Sequence, residues 1–445
     1  MASKRVGKRL SVLYPDCAGV DVGKKKHFVA VDPSRSETAV RSFDTFTDDL
    51  EDLAGWLKAC GVKVVAMEST GVYWIALYEV LDRAGFDVRL VNPRATKQVS
   101  GRKSDVLDCQ WIWQLMSYGL LDGAFRPCDE ICELRSYVRQ RARLTRDAAR
   151  SVQHIQKALT EMNVQLDSVL SDIMGHTGQA ILRAIVAGER DGERLASLRH
   201  SRVRADTATI ARSLRGNWRA EHLFALEQAL ARYDFLQAQI GACEQQIATF
   251  MERVSEAQAS ETVTLAKPSR NQAERTLQLA LTRLMGVDLT AIPTIGVETA
   301  LAVASEIGPD FSRFPTCGHF CSWLNLAPAT RISGGHVLPG RAPKRTNPLG
   351  QALRLAAVSA RHNNSFIGAA HRSRLARLDK GRAIKATAHQ LARLIYAMVT
   401  RGEAYVEKGI ETFEYERRVK QLTALRRNAK RLGFELSEKP LETAA

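Results

Sequence analysis

Three strand-like runs in direct succession, followed by alternating helices and strands, constrain the fold of this chain more than any other feature. Cys17 to Val22, His27 to Asp32 and the stretch around Arg41 to Phe43 read as three consecutive strands. A helix is then expected over Asp48 to Ala59 and a strand over the apolar run Val62 to Met67. Tyr73 to Ala84 reads as a helix ending at Gly85, and Val88 to Val91 as a strand stopped by Asn92-Pro93. A last helix from about Asp105 to Tyr118 completes the unit.

That element order is the order of a RuvC/ribonuclease-H-like α/β domain, expected here over residues 1–125. Four carboxylates fall at informative places in it. Asp21 lies in Ala18-Gly19-Val20-Asp21-Val22-Gly23, near the middle of the first strand, and Glu68 ends the run Val62 to Met67. Asp105 and Asp108 stand three apart in Ser104-Asp105-Val106-Leu107-Asp108, where a helix presents both on one face. A strand Asp or an i, i+3 acid pair is ordinarily solvated or capping when taken singly. Converging from strand ends and a helix, the four make a divalent-metal site. Mg²⁺ suits them, because it prefers hard oxygen ligands and keeps waters for substrate phosphates. This is equipment for cutting or joining a phosphodiester.

The charge balance points the same way. Sixty-four Lys and Arg against 48 Asp and Glu leave a formal charge of +16, which favours a polyanionic partner, nucleic acid before acidic membrane. No stretch approaches the roughly 20 apolar residues that span a bilayer. The basic start Met1-Ala2-Ser3-Lys4-Arg5 has no apolar segment behind it, so a signal peptide is not expected. Eight cysteines then read as reduced thiols of a cytoplasmic protein.

A helical coiled-coil region is expected over residues 126–275. Leu134, Val138, Leu144, Ala148, Val152, Ile155, Leu159, Met162 and Leu166 recur at near-heptad spacing, interrupted at one seam position by Arg141. A second run from Leu223 to Val254 repeats the pattern with polar breaks at Gln237 and Glu244. The two helices are expected to pair antiparallel, within the chain or across a dimer. Gly175 to Asn217 reads as shorter helices, and Ser255 to Arg270 as a linker. The arginines of Arg135 to Arg150 are either a solvated helix face or a nucleic-acid contact.

Residues 276–445 are expected to form a mainly helical domain. Leu289 to Gly296, followed by the small-residue run Val297 to Ile307, is a helix-hairpin-helix pattern whose amides near Gly296 could hold a phosphate. From Phe311 to Leu378 there is no Asp or Glu, while Arg331, Arg341, Lys344, Arg345 and six further arginines lie in the same stretch. Within it stands Arg331-Ile332-Ser333-Gly334-Gly335-His336. A serine beside two glycines is ordinarily a turn; in a basic, acid-free stretch it is also a candidate phosphoryl-transfer nucleophile, with His336 as helper or phosphate contact. The pairs Cys128/Cys132 and Cys317/Cys321 lack the two-residue spacing of a zinc knuckle and read as thiols. Trp111, Trp113 and Trp323 read as core; Tyr73 and Trp74 either pack or stack on a base.

These motifs resemble those of bacterial insertion-sequence transposases with a RuvC-like DEDD domain (insertion-sequence family one-ten). The resemblance rests on Gly19-Val20-Asp21-Val22-Gly23, Met67-Glu68-Ser69-Thr70-Gly71-Val72-Tyr73 and Val91-Asn92-Pro93-Arg94. It continues through Lys103 to Asp108, Phe320 to Pro328 and Ser333-Gly334-Gly335, covering nearly the whole chain. It implies that Asp21, Glu68, Asp105 and Asp108 are the family's acidic positions and that Ser333 is its nucleophilic serine, forming a phosphoserine link to DNA with Mg²⁺ assistance. Arg331, Gly334, Gly335, Arg341, Lys344 and Arg345 would then contact nucleic acid beside it. It further implies a structured bridge RNA as guide, a homo-oligomer (dimer or tetramer) with a composite active site, and a bacterial, nucleoid-associated location. Family members often carry two adjacent serines before the glycines; here Ile332 precedes Ser333.

Two other readings stand beside this one. A RuvC-like Mg²⁺-dependent nuclease or Holliday-junction resolvase would hydrolyse DNA with water and use Ser333 only structurally. A nucleic-acid-binding regulator with a decayed site is opposed by the full set of four acids.

Overall fold

The computed structural model describes residues 11–69, 71–92, 105–257, 264–265, 267–328, 331–334, 336–338, 347–402 and 410–435. The chain divides into two compact units, residues 1–126 and 127–445.

The first unit is a mixed five-stranded sheet of order β3-β2-β1-β4-β5, with helices on both faces. Its strands are β1 (Cys17–Val22), β2 (Lys26–Ala30), β3 (Val40–Asp44), β4 (Val64–Glu68) and β5 (Asp87–Val91). The first three pair antiparallel, while β1–β4 and β4–β5 are parallel. The connections explain the difference: a short turn suffices between antiparallel neighbours, whereas parallel ones need a crossover. The crossovers are α1 (Thr47–Ala59) and α2 (Trp74–Arg83). Leu50, Leu53, Ala54 and Leu57 of α1, with Leu77 and Leu81 of α2, bury against Ala18, Val20, Val65 and Met67. The opposite face is covered by α3 (Asp105–Ser117), whose Ile112 and Met116 pack on Cys17, Ala66 and Val91.

The second unit is built on a helical hairpin. α4 (Asp129–Glu161) and α9 (Ala220–Ala257) run antiparallel within one chain, as three cross-links along their length show. Glu133 meets Arg253 at 2.7 Å, Arg141 meets Glu244 at 3.8 Å, and Glu161 meets His222 at 3.3 Å. Four shorter helices sit at the tip: α5 (Leu166–Val169), α6 (His176–Val186), α7 (Gly192–Ser197) and α8 (Thr207–Ser213). They share a core with Ile155, Leu159, Met162, Leu226 and Leu230 of the hairpin. α9 continues to Ala257, two residues past the start of the expected linker, most of whose remainder lies outside the described residues.

Helices also dominate the rest: α10 (Gln272–Met285), α11 (Val297–Glu306), α12 (Cys317–Trp323), α13 (Pro348–Ser359), α14 (Phe366–Leu375), α15 (Lys380–Arg401) and α16 (Ile410–Arg431). Their starts are capped by the side chains of Asn271, Thr316, Asn347, Ser365 and Asp379 at α10, α12, α13, α14 and α15. Phe311, Phe314, Phe320, Trp323 and Tyr396 form an aromatic core, in which the Tyr396 hydroxyl donates to the Phe314 carbonyl at 2.8 Å. β6 (Arg331–Ser333) and β7 (His336–Leu338) form a separate two-stranded hairpin.

Candidate active site

Side-chain alternation along two parallel strands builds the acidic face. Val20 of β1 lies opposite Met67 of β4, so Asp21 and Glu68 occupy the next position of one register. Val20 and Met67 enter the core under α1 and α2, and the period of two turns Asp21 and Glu68 to the other face, toward α3. Asp105 and Asp108 stand in the first turn of that helix. Glu68 is buried, Asp21 is half-buried and the two helical aspartates are exposed, so the carboxylates step from the sheet out to solvent.

Gly19 makes this juxtaposition possible. A β-carbon there would lie 2.1 Å from the Trp113 amide nitrogen and 2.4 Å from the Cys109 carbonyl oxygen. Only a residue without a side chain lets α3 lie this close across β1, two residues from Asp21. The signal was present in the sequence as a glycine inside an apolar strand, although it was not read as a site determinant. The field of the acids is felt at Cys109. Its thiol is pushed up to about 12, first by burial, then by the negative charge of Asp21 and, more weakly, of Asp108. Carboxylates from β1 and α3 therefore act on one sulfur.

Carboxylates are the hard-oxygen donors that suit a divalent cation. Among the described residues no three His, Cys, Asp or Glu side chains converge closely enough to hold an ion.

Ser333 lies in the second unit, at the closed end of the β6–β7 hairpin, where it pairs in register with His336. Gly334 begins the turn with φ of 56°, a left-handed conformation natural to glycine. Gly334 and His336 are exposed. Arg331 opens β6, while Gly335, Arg341, Lys344 and Arg345 lie outside the described residues.

Gly296 is the N-cap of α11, reached through a 3₁₀ turn (Leu289–Ala291) and Thr294, whose φ is 77°. Three of the six arginines from Arg135 to Arg150 are engaged with distant parts of the second unit, while Arg143, Arg146 and Arg150 are exposed with partners only on their own helix. Arg139 binds both Glu306 carboxylate oxygens at 2.8 and 2.7 Å, Arg135 donates to the Ser305 carbonyl, and Arg141 pairs with Glu244 and Glu298. A free polyanion-binding stripe along Arg135 to Arg141 is therefore not what the fold presents. Trp111, Trp113 and Trp323 are half-buried, and Tyr73 is 43% exposed at the mouth of α2. All eight cysteines are free thiols; Cys317 and Cys321 approach to 3.9 Å between sulfurs along α12.

Comparison with known proteins falls on both units. A transposase family model for the DEDD domain of IS110-type elements matches residues 18–164. A second model, described as transposase IS116/IS110/IS902 family, matches residues 288–372. The "Insertion element IS110 uncharacterized 43.6 kDa protein" of Streptomyces coelicolor (strain ATCC BAA-471 / A3(2) / M145) is 30% identical over 119 residues. That stretch is 26% of this chain and spans only 29% of the relative's length. The DEDD match points to dependence on a divalent metal without specifying which. With one family model matching residues 18–164 and the other residues 288–372, the chain belongs to the IS110 family of insertion-sequence transposases.

Proposed function

We propose that this protein is the recombinase of its insertion sequence, cutting and rejoining DNA with an acidic metal site and a serine nucleophile. The observation that carries the reading is the register of Asp21 beside Glu68, on the sheet face covered by the helix that starts at Asp105 and Asp108. When bound, Mg²⁺ would supply Lewis-acid stabilisation of the phosphate oxygens.

The chain's own residues divide the remaining work. Asp21 and Glu68 on strands, with Asp105 and Asp108 in a helix turn, would supply the oxygen donors once they draw together around the ion. The Ser333 hydroxyl attacks phosphorus: a new Oγ–P bond forms, the serine proton is lost, and the phosphorus–deoxyribose oxygen bond breaks, with the displaced oxygen taking up a proton to leave a free hydroxyl on the DNA end. His336, which pairs with Ser333 in register, would accept the serine proton or contact the phosphate. Arg331, Arg341, Lys344 and Arg345, with the amides of Gly334, Gly335 and Gly296, would bind the DNA backbone. A structured guide RNA would select the target. Copies of the chain would join through the helical hairpin as a coiled coil, a reading supported by Phe224 and Phe235 on α9, which are 63% and 62% exposed. Three working parts follow: residues 1–125, 126–275 and 276–445.

The test incubates the protein, its RNA and labelled DNA with Mg²⁺ and examines denatured products for a protein–DNA adduct. An adduct lost in Ser333→Ala supports the reading. Cleavage that persists in Ser333→Ala would sink the nucleophile and leave hydrolysis by water. No cleavage with any divalent metal leaves nucleic-acid binding alone.

A further inference from the structure

The tip of the helical hairpin carries a cleft of about 770 Å³ between α5, the start of α6 and the loop after α7. It lies in residues 165–287, between the two segments matched by the family models. Its apolar lining comes from Val169, Leu170 and Val203. Two imidazoles stand beside that lining: His176 and His200 are both exposed and meet edge to face, with centroids 5.7 Å apart. Arg202 and Arg204 are exposed on the same loop, and neither is ion-paired among the described residues.

The loop is held in place rather than loosely draped. Arg199 donates to the Val203 carbonyl at 2.6 Å, and the His200 amide donates to the Thr177 hydroxyl at 3.0 Å. The Arg202 amide donates to His200 Nδ1 at 3.2 Å, which places the proton of the neutral ring on Nε2 as a donor. The acid on the lining, Asp172, already accepts the Met174 amide at 2.9 Å.

A planar base needs a flat aromatic face and an apolar floor, and its phosphate needs a cation at the rim. This cleft offers all three, and the two arginines add no sequence preference. We infer that the hairpin tip holds an unpaired nucleotide of a single-stranded segment, its base against His176 and His200 and its phosphate on Arg202 and Arg204. The inference rests on the reading of the chain as a nucleic-acid enzyme and adds a binding site outside both matched segments.

The full-length protein is titrated by fluorescence anisotropy with a mixed-sequence single-stranded RNA, the DNA of the same sequence and a duplex, across a salt series. His176→Ala should weaken single-strand binding about tenfold, with duplex binding unchanged. His176→Phe, which keeps a flat ring, should restore it. Arg202→Ala with Arg204→Ala should reduce the slope of log affinity against log salt by about 1.4. Arg212→Ala removes one exposed charge outside the cleft and should change little. Tighter binding of RNA than DNA assigns the segment to RNA, and the reverse to displaced DNA. Wild-type binding by both cleft variants overturns the site while leaving the proposed function standing; so does an equal loss in Arg212→Ala. A protein that binds no nucleic acid in any arm overturns both. Thermal melts of each variant separate lost contacts from lost fold.

Discussion

Arg141 of α4 and Glu244 of α9 meet across the hairpin at 3.8 Å, and each is a polar residue that interrupts its own apolar seam. The two interruptions are one feature. A charge at a seam position is unfavourable alone and specifies register when its partner stands opposite. Arg141 also pairs with Glu298 in the first turn of α11, so a side chain only 17% exposed ties the hairpin to the C-terminal helices.

A double-mutant cycle on Arg141→Ala and Glu244→Ala should return a coupling of about 0.5 kcal/mol, read from denaturant unfolding. The value is small because the Glu244 side chain is 58% exposed and the pair is screened by water. A coupling near zero would mean that the register is set by the apolar residues alone.

Glu306 predicts an asymmetry. Its carboxylate is buried, at 6% exposure, and receives both bonds from Arg139, whose own side chain is 53% exposed. Arg139→Ala leaves the buried carboxylate to Arg135, 3.6 Å away, and should cost about 3 kcal/mol. Glu306→Ala releases a guanidinium that can reach water and should cost less. Urea titrations of the two variants check the order.

Gly19→Ala should abolish DNA cleavage without touching a carboxylate. Its new methyl group would collide with the backbone of Trp113 and Cys109, which cannot rotate away, and push α3 off β1. Overpacking of this kind costs about 3 kcal/mol, so the melting temperature should fall as well. A cleavage assay under conditions where the variant remains folded isolates the displacement of Asp105 and Asp108 from Asp21.

Acid should destabilise the protein through histidines kept neutral. His27, His371 and His389 are held below the ordinary 6.5, first by burial and, for the latter two, by neighbouring cations including Arg374. The unfolded chain takes up protons that the folded one refuses, so this stability is present above 6.5 and is lost as the pH falls toward the folded-state values. Melting temperatures should decline below about pH 6.5. His371→Asn should flatten that decline; an unchanged profile would assign it to other groups.

The acidic face was legible because two short-range rules suffice for it. Alternation in β1 and β4 and the i, i+3 spacing in α3 sort side chains to faces without knowledge of distant contacts. Its dependence on Gly19 was not legible, since close approach is a property of two segments about ninety residues apart that meet only in the folded sheet. The first arginines of the run from Arg135 onward have partners that no local rule could show. Glu306 and Glu298, far along the chain, are brought against Arg139 and Arg141, while Arg143, Arg146 and Arg150 stay exposed. The histidine and arginine cluster at the hairpin tip has no local pattern and appears only when α6 and the loop after α7 converge.

By itself the sequence determined what periodicity and residue chemistry determine: the strand–helix order, Asp21 and Glu68 on strands with Asp105 and Asp108 on one helix face, two long apolar-patterned helices, and a basic stretch around Ser333. Tertiary structure decided what depends on long-range pairing. It set β1 beside β4, paired the two long helices antiparallel within one chain, and set Glu306, Glu244 and Glu298 against Arg135, Arg139 and Arg141. The physical reason is that hydrophobic patterning is written in neighbours three or four residues apart, whereas charge compensation and close backbone approach depend on which distant segments meet.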